Sequence, residues 1–181
     1  MDSTNDHAPL EPRLPTTDDL LLLCRRLNEA GAKYLVLGGY AVNYYGRHRA
    51  TKDLDVWIAV DPENARLVSQ VMKSFGGFTD AQVPYGLFLQ KGKVFAFGRE
   101  PIRIDLLTSP SGIDFAASYA RRLEVIWDGV RVPLIALDDL RQNKQTSGRP
   151  KDLDDVENLP TVWPLPRKLR KKKRRKKKRR R

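Results

Sequence analysis

The sequence predicts an α/β or α+β fold in which a mixed central β-sheet is flanked by helices. Segments with the two-residue apolar period of strands alternate with segments that have the helical period. Turn signals separate them, among them Gly31, Gly46 and the Asp128-Gly129 pair, which is typical of a hairpin. With 181 residues, the chain can bury one substantial core, so a single folded domain is expected.

Each predicted element follows from its apolar spacing and from the residues at its ends. The predicted helices are Thr16 or Thr17 to Gly31, Tyr40–Tyr45, Glu63–Phe75, a helix around Phe115–Tyr119, Leu137–Lys144 and Lys151–Leu159. The predicted strands are Lys33–Leu37, Asp53–Ile58, Leu87–Gln90, Val94–Phe97, Ile102–Leu107, Leu123–Trp127 and Val130–Ile135.

Composition divides the chain into three parts. Residues 1–16 are polar and contain three prolines, which predicts a flexible N-terminal arm. Residues 17–160 form the predicted domain. Residues 161–181 are a proline-containing linker and a polybasic tail that we expect to be disordered.

The net charge of +12 comes from the tail. Residues 167–181 contain 14 Lys or Arg, which leaves 20 basic against 22 acidic residues elsewhere. Such a run of like charges could bind DNA or RNA phosphates through counterion release. The alternative is that the run is not native to the protein.

Other features restrict the class of protein. The single Cys24 excludes an internal disulfide framework and fits a reducing, cytoplasmic environment. Nothing in residues 1–16 resembles a signal peptide. The longest apolar run, Leu20–Leu23, is far shorter than the ~20 residues of a membrane span, so no membrane association is expected.

The most informative stretch is residues 38–57, GGYAVNYYGRHRATKDLDVW. In a strand, Asp53 and Asp55 share one face and Leu54 lies on the other. Two adjacent carboxylates repel each other unless a cation lies between them, and Mg²⁺ favours such oxygen ligands. Gly38 and Gly39 allow close approach of the backbone to a ligand.

A helix that begins near Tyr40 would also present its N-terminal N–H groups to an anion. A cation site beside an anion site suggests a nucleoside triphosphate bound with Mg²⁺ or Mn²⁺.

This combination of Gly-Gly, helix, Thr and Asp-x-Asp resembles the nucleotidyltransferase superfamily with the DNA polymerase β-like fold. The closer resemblance is to small bacterial nucleotidyltransferases of the toxin–antitoxin and abortive-infection kind, over roughly residues 17–159. It implies transfer of a nucleoside monophosphate from an NTP to a hydroxyl of RNA, such as a tRNA end, or of a protein.

The resemblance also implies a third carboxylate on a later strand, and Asp105 in IRIDLL matches it. With Asp53 and Asp55 it would hold two metal ions, or it would take the proton of the attacking hydroxyl as a general base. A strand-end aspartate, or a partner of Arg103, is the simpler alternative.

Several basic residues are candidates for phosphate contacts. The NKQTSGRPKDLDD stretch resembles the last motif of the small transferases, and places Lys144, Arg149 and Lys151 where they could stabilise the departing pyrophosphate. Arg49 and Lys52 are candidates for nucleotide contact from the basic loop. For the loop arginines and the NKQTSGRPKDLDD residues, ordinary solvent exposure is the alternative.

Other polar and aromatic residues are expected to be structural. Asp114, Asp138 and Asp139 are predicted helix caps. Cys24, Tyr44 and Tyr45 are predicted to pack in or against the core.

Three functions are consistent with the sequence. The first is an active nucleotidyltransferase. The second is a catalytically idle copy of the fold that binds nucleotide or a partner protein, for instance as an antitoxin. The third is a nucleic-acid-binding protein that acts through its tail. The three acidic residues favour the first, because an idle copy has no need of them.

Overall fold

The computed structural model describes residues 17–51, 53–99 and 102–163. The N-terminal arm, Lys52 and the polybasic tail lie outside the described residues. What the sequence predicts for them, and the domain limits at 16 and 160, therefore stay predictions.

The predicted mixed sheet is confirmed. It has six strands: β1 (Tyr34–Val36), β2 (Asp53–Ile58), β3 (Val94–Arg99), β4 (Ile102–Leu107), β5 (Leu123–Trp127) and β6 (Val130–Leu134). Their order is β3-β4-β2-β1-β6-β5. β2 and β4 pair in parallel, as do β1 and β6, and the other pairs are antiparallel.

In the described residues six α-helices accompany the sheet: α1 (Thr17–Glu29), α2 (Gly38–Tyr44), α3 (Pro62–Gly76), α4 (Phe115–Ala120), α5 (Leu137–Ser147) and α6 (Pro150–Asn158). Local chemistry explains their ends. The Asp61 side chain accepts a hydrogen bond from the Asn64 backbone N–H, and Gly77 ends α3 in the left-handed conformation. Asp114 caps α4 as predicted, since it accepts from the Ala117 N–H at 3.0 Å.

The core is formed by residues of the sheet and of the helices packed on it, and its largest fully buried side chains include Trp57, Tyr34, Tyr45 and Phe88. Cys24 is buried, as predicted. Tyr45 packs edge-on against Tyr44 at 5.3 Å between ring centroids. The expectation that these two tyrosines are packing residues is confirmed.

Three local predictions are wrong. Residues 87–90 do not form a strand, because a 3-10 helix at Tyr85–Leu89 turns Phe88 into the core against Phe95. Asp138 and Asp139 do not cap α5, whose N-cap is Ala136 without a side-chain bond. Asp139 instead accepts from Arg121 at 2.6 Å. Helix α2 begins at Gly38, two residues before the predicted start.

None of the helices in the described ranges combines the length and apolar character needed to cross a membrane.

Candidate active site

Two parallel strands bring the predicted acidic residues together. In the register between β2 and β4, Asp55 lies opposite Asp105 and Asp53 opposite Arg103. Side chains directly opposite each other in a sheet share a face. Asp53, Asp55 and Asp105 therefore lie on the same sheet face, on neighbouring strands, as the sequence predicted; we call this group the acid face.

A fourth side chain, that of Arg103, forms ion pairs with the acid face. Arg103 donates from Nε to Asp105 Oδ1 at 2.7 Å and from Nη2 to Asp105 Oδ2 at 2.8 Å. Its Nη2 also lies 3.5 Å from Asp53 Oδ2. The simpler alternative for Asp105, as a partner of Arg103, is thus realised together with its placement beside the other two acids.

The environment of Asp55 disfavours its ionised form. Burial raises the pKa of Asp55 to about 6, and the neighbouring carboxylates of Asp105 and Asp53 add to that effect. The charges of Lys144 and Arg149 oppose it without cancelling it. An added cation at this position would relieve the repulsion.

The two glycines are needed to accommodate side chains of the chain itself. A Cβ on Gly38 would lie 1.8 Å from Asp55 Oδ2, and a Cβ on Gly39 would lie 2.1 Å from Thr51 Oγ1. Gly38 also has a φ of +62°, which L side chains rarely adopt. The predicted reason for the Gly-Gly pair was approach to a ligand; the structure adds that Asp55 and Thr51 pack directly on the glycines.

These residues line an open polar cavity of about 400 Å³. The acid face forms one part of the wall and Gly38 and Gly39 another. The remaining charged side chains of the wall are Arg49, Arg103, Lys144, Arg149, Lys151 and Asp152. The cavity thus joins three carboxylates to a cationic wall, as a metal–triphosphate ligand would require.

Two of the predicted phosphate contacts are bound to a buried carboxylate. Arg49 donates to both oxygens of Asp155, from Nε and Nη2 at 2.9 Å each. Lys144 Nζ lies 2.8 Å from Asp155 Oδ2 and 2.7 Å from Asp152 Oδ1. Arg47 reaches Asp155 as well, at 3.0 Å.

The ion cluster, as we call it, consists of Arg47, Arg49, Lys144, Arg149, Asp152 and Asp155. Burial alone would raise the pKa of Asp155, but bonds from Arg49, Lys144 and Arg47 outweigh it and lower that pKa to about 2. The Asp155 side chain is 0% exposed. The cluster ties α5 and α6 to the loop before β2, and so holds Arg47 and Arg49 in place.

Arg149 and Lys151 lie at the edge of the cavity. Arg149 donates from Nε to Asp152 at 2.6 Å, yet its side chain is 77% exposed. Lys151 is also exposed. Of the predicted basic residues that the structure describes, these two have the greatest freedom to reorient toward a ligand.

The Tyr40 side chain lines a different cavity, and the predicted anion contact of the N–H groups at this helix start stays a prediction. Its ring lies 6.2 Å from the ring of Trp127, and both line a separate, mainly apolar cavity of about 360 Å³. Only the Tyr40 backbone, in the first turn of α2, remains near Gly38 and Gly39.

The acid face suits a divalent cation in residue type and charge. Three carboxylates supply hard oxygen ligands, and their mutual repulsion has one guanidinium to offset it. As the side chains are placed, however, no three His, Cys, Asp or Glu residues of the described ranges form a group that could hold a metal ion. The residues therefore fit Mg²⁺ or Mn²⁺ chemically, provided that side chains rearrange.

Sequence reasoning did not assign site roles to Arg103 or Asp155. The two-residue spacing of Arg103 and Asp105 places both on one strand face, and was the available signal for Arg103. For Asp155, the i, i+3 spacing from Asp152 predicts a shared helix face, but its partners Arg47 and Arg49 lie more than 100 residues away.

A family model described as "nucleotidyltransferase of unknown function (DUF6036)" matches residues 16–162. The chain belongs to this family. It is therefore classed as a nucleotidyltransferase enzyme, and the resemblance to the superfamily is confirmed. The description of this family does not mention a toxin–antitoxin role.

Solved structures share the fold of this nucleotidyltransferase. An antigenic nucleotidyltransferase-like protein from Paracoccidioides brasiliensis is 20% identical, with a TM-score of 0.52 over 80% of this chain and 76% of its own. A putative nucleotidyltransferase from Thermotoga maritima is 13% identical, with a TM-score of 0.52 over 77% and 88%.

The lincosamide antibiotic adenylyltransferase LnuA, solved with lincomycin, is 16% identical, with a TM-score of 0.49 over 83% and 99%. No curated protein matches the sequence.

Proposed function

We propose that the protein is a Mg²⁺- or Mn²⁺-dependent nucleotidyltransferase that moves a nucleoside monophosphate from an NTP to an acceptor hydroxyl. One observation carries the proposal. The β2–β4 register places Asp53, Asp55 and Asp105 on one sheet face, in a cavity whose other walls are cationic.

The acids and the cationic wall have distinct parts in this reaction. Asp53, Asp55 and Asp105 would hold the divalent cation, which would offset phosphate charge and lower the pKa of the attacking hydroxyl. The hydroxyl oxygen forms a bond to the α-phosphorus, the bond from that phosphorus to the bridging oxygen breaks, and pyrophosphate leaves. The hydroxyl proton goes to Asp105 or to solvent.

Departure of pyrophosphate needs positive charge on its side of the cavity. Arg149 and Lys151, exposed at the edge, are best placed to move onto it, and Lys144 contributes its charge from within the ion cluster. Arg49 lines the same cavity, and its Nη1 is 3.4 Å from where a Gly39 Cβ would lie. We assign nucleotide binding to Arg49 and the Gly38-Gly39 backbone; Lys52 lies outside the described residues, and its nucleotide contact stays a prediction.

The acceptor in this proposal is an RNA end or a protein hydroxyl, in a toxin–antitoxin setting. Residues 167–181 would then help to hold RNA by charge alone. Truncation before Arg167 should weaken binding of a random RNA oligonucleotide and flatten its salt dependence, by roughly 0.7 in log–log slope for each lost contact. Equal RNA affinity of both forms at low salt would exclude the tail as the binding element.

One observation favours a second candidate, the catalytically idle nucleotide- or partner-binding module. Arg103 already neutralises part of the acid face, as a site that has lost its metal would require. An idle module would bind nucleotide without metal and transfer nothing.

The deciding experiment incubates the protein with each radiolabelled NTP, Mg²⁺ and cell extract, and identifies the labelled molecule. In the same assay, Asp55→Asn should lower transfer by at least about 10²-fold, because interactions of this kind in the transition state contribute 10²- to 10³-fold. Asp80→Asn is the matched control, since that aspartate is exposed and pairs with Lys73.

Full transfer by the Asp80 variant together with loss in the Asp55 variant would support the enzyme. Absence of label transfer with any NTP, while NTP binding persists without metal, would favour the idle module.

A further inference from the structure

Arg103 contacts two of the carboxylates that would hold a metal ion. Its guanidinium takes up both oxygens of Asp105, at 2.7 and 2.8 Å, and approaches Asp53 at 3.5 Å. One side chain thus bridges two of the three carboxylates across neighbouring strands. These charge-assisted, two-point contacts are the strong kind of arginine–carboxylate pair.

The Arg103 guanidinium occupies one lone-pair direction on each Asp105 oxygen, so a divalent cation that used the others would compete with it for the charge of the same carboxylate. A cation bound to Asp105 would lie next to the positive guanidinium of Arg103 and would share the carboxylate oxygens with it. The charge repulsion and the weaker attraction to a shared carboxylate are both unfavourable. In the described ranges the three acids share a face without forming a group that could hold a metal ion, and Arg103 contacts two of them.

The Arg103 side chain could leave the acid face and remain in the cavity. It is anchored on β4 two residues before Asp105, it is 38% exposed, and it lines the same cavity as Arg149 and Lys151. A triphosphate in that cavity would offer oxygens in the planar, two-point geometry that a guanidinium fork matches. The arginine would then exchange a carboxylate partner for a phosphate partner.

We propose that Arg103 is a positioning residue that holds the acid face closed to metal alone and opens it when a nucleoside triphosphate arrives. The proposal rests on the proposed function, because it assumes that a metal and a triphosphate share this cavity. Metal and nucleotide binding are then coupled through one side chain: each ligand binds more tightly in the presence of the other, and by the same factor.

The proposal predicts opposite effects on two affinities when Arg103 is replaced. Arg103→Gln should bind Mn²⁺ alone more tightly than the wild type, because the competitor is gone. It should bind a non-hydrolysable NTP analogue with Mn²⁺ more weakly, because the phosphate partner is gone. Each change should be about fivefold or more, the low end of typical coupling. A merely structural arginine would weaken both.

The experiment is a Mn²⁺ titration followed by electron paramagnetic resonance, which counts free Mn²⁺, on the full chain with and without the analogue. Arg122→Gln is the matched control: Arg122 likewise donates to a carboxylate two residues further on, Glu124 at 2.6 Å, and it does not line the cavity of the acid face. Its affinity for Mn²⁺ alone should change less than about twofold. Arg103→Lys, which keeps the charge and loses the fork, should be intermediate in both titrations.

The outcomes separate the inference from the function it rests on. Equal affinity of wild type and Arg103→Gln for Mn²⁺ alone, with normal Mn²⁺–analogue binding by the wild type, would overturn the role of Arg103 and leave the enzyme intact. If neither protein binds Mn²⁺ with or without the analogue, the metal-dependent function itself is wrong. Melting curves of the variants confirm that each is folded.

Discussion

The acid face and the ion cluster are built from the same residue types and have opposite electrostatic character. On the acid face three carboxylates meet one guanidinium, and the pKa of Asp55 is raised to about 6. In the ion cluster two carboxylates meet four cations, and the pKa of Asp155 is lowered to about 2.

The difference lies in the balance of charge, since burial disfavours the ionised carboxylate in both places. In the ion cluster the bonds to arginine and lysine outweigh burial, so the carboxylates need no ligand. On the acid face one arginine does not suffice, and the repulsion between carboxylates remains. A region where carboxylates outnumber their cationic partners is a candidate ligand site, whereas a region where every carboxylate has its cationic partners holds the fold together.

The largest effect on stability is expected in the ion cluster. Asp155→Asn removes the charge that faces Arg47, Arg49 and Lys144, and should lower the free energy of unfolding by about 3 kcal/mol or more, as for a broken buried ion pair. Asp154→Asn, next to it but exposed and paired only at the surface, should cost at most about 1 kcal/mol. Urea denaturation of both variants measures the difference; equal losses would contradict the assignment of Asp155.

The next effect concerns the glycine against the acid face. Gly38→Ala places a methyl group onto Asp55 and also strains a positive φ, whereas Gly148→Ala has nearly the same φ, +65°, and nothing within 4 Å. Both should lose about 1–2 kcal/mol from the backbone. Gly38→Ala should lose a further ~1–3 kcal/mol from overpacking.

Thermal and urea unfolding compare these glycine variants. If the two lose the same free energy, Asp55 does not pack on Gly38 as described.

The smallest effect is on pH dependence. The folded-state pKa of Asp55, about 6, lies above its ordinary value of 3.8, so the folded protein binds the proton more tightly. Its contribution to the free energy of unfolding should therefore rise as the pH falls from about 6 toward 4, by at most ~1.4 kcal/mol per pH unit. Asp155, with its lowered pKa, stabilises the fold above about pH 4 and loses that contribution only as the pH falls toward 2.

Urea unfolding in EDTA at pH 7 and pH 5 tests the Asp55 effect, with Asp55→Asn as the variant that lacks it. The wild type should gain stability relative to this variant between pH 7 and pH 5. A constant difference between the two proteins would mean that Asp55 titrates normally.

Much of the fold could be predicted from local sequence signals. The bounds of the strands at 102–107 and 123–127 agree with the prediction, and the Asp128-Gly129 hairpin forms as expected. The prediction of a strand at 87–90 was wrong, because a short apolar run is consistent with either a strand or a turn that buries Phe88. Asp138 and Asp139 were misplaced as caps because a favourable residue type does not identify the helix start.

The sequence by itself determined which side chains share a face. Alternation along β2 puts Asp53 and Asp55 together, and alternation along β4 puts Arg103 with Asp105. Only the tertiary structure decided which faces meet: the parallel register sets Arg103 opposite Asp53, and the docking of α6 brings Asp155 to Arg49, 106 residues away. The reason is that backbone periodicity orients a side chain within its own element, whereas its partners depend on how distant elements pack.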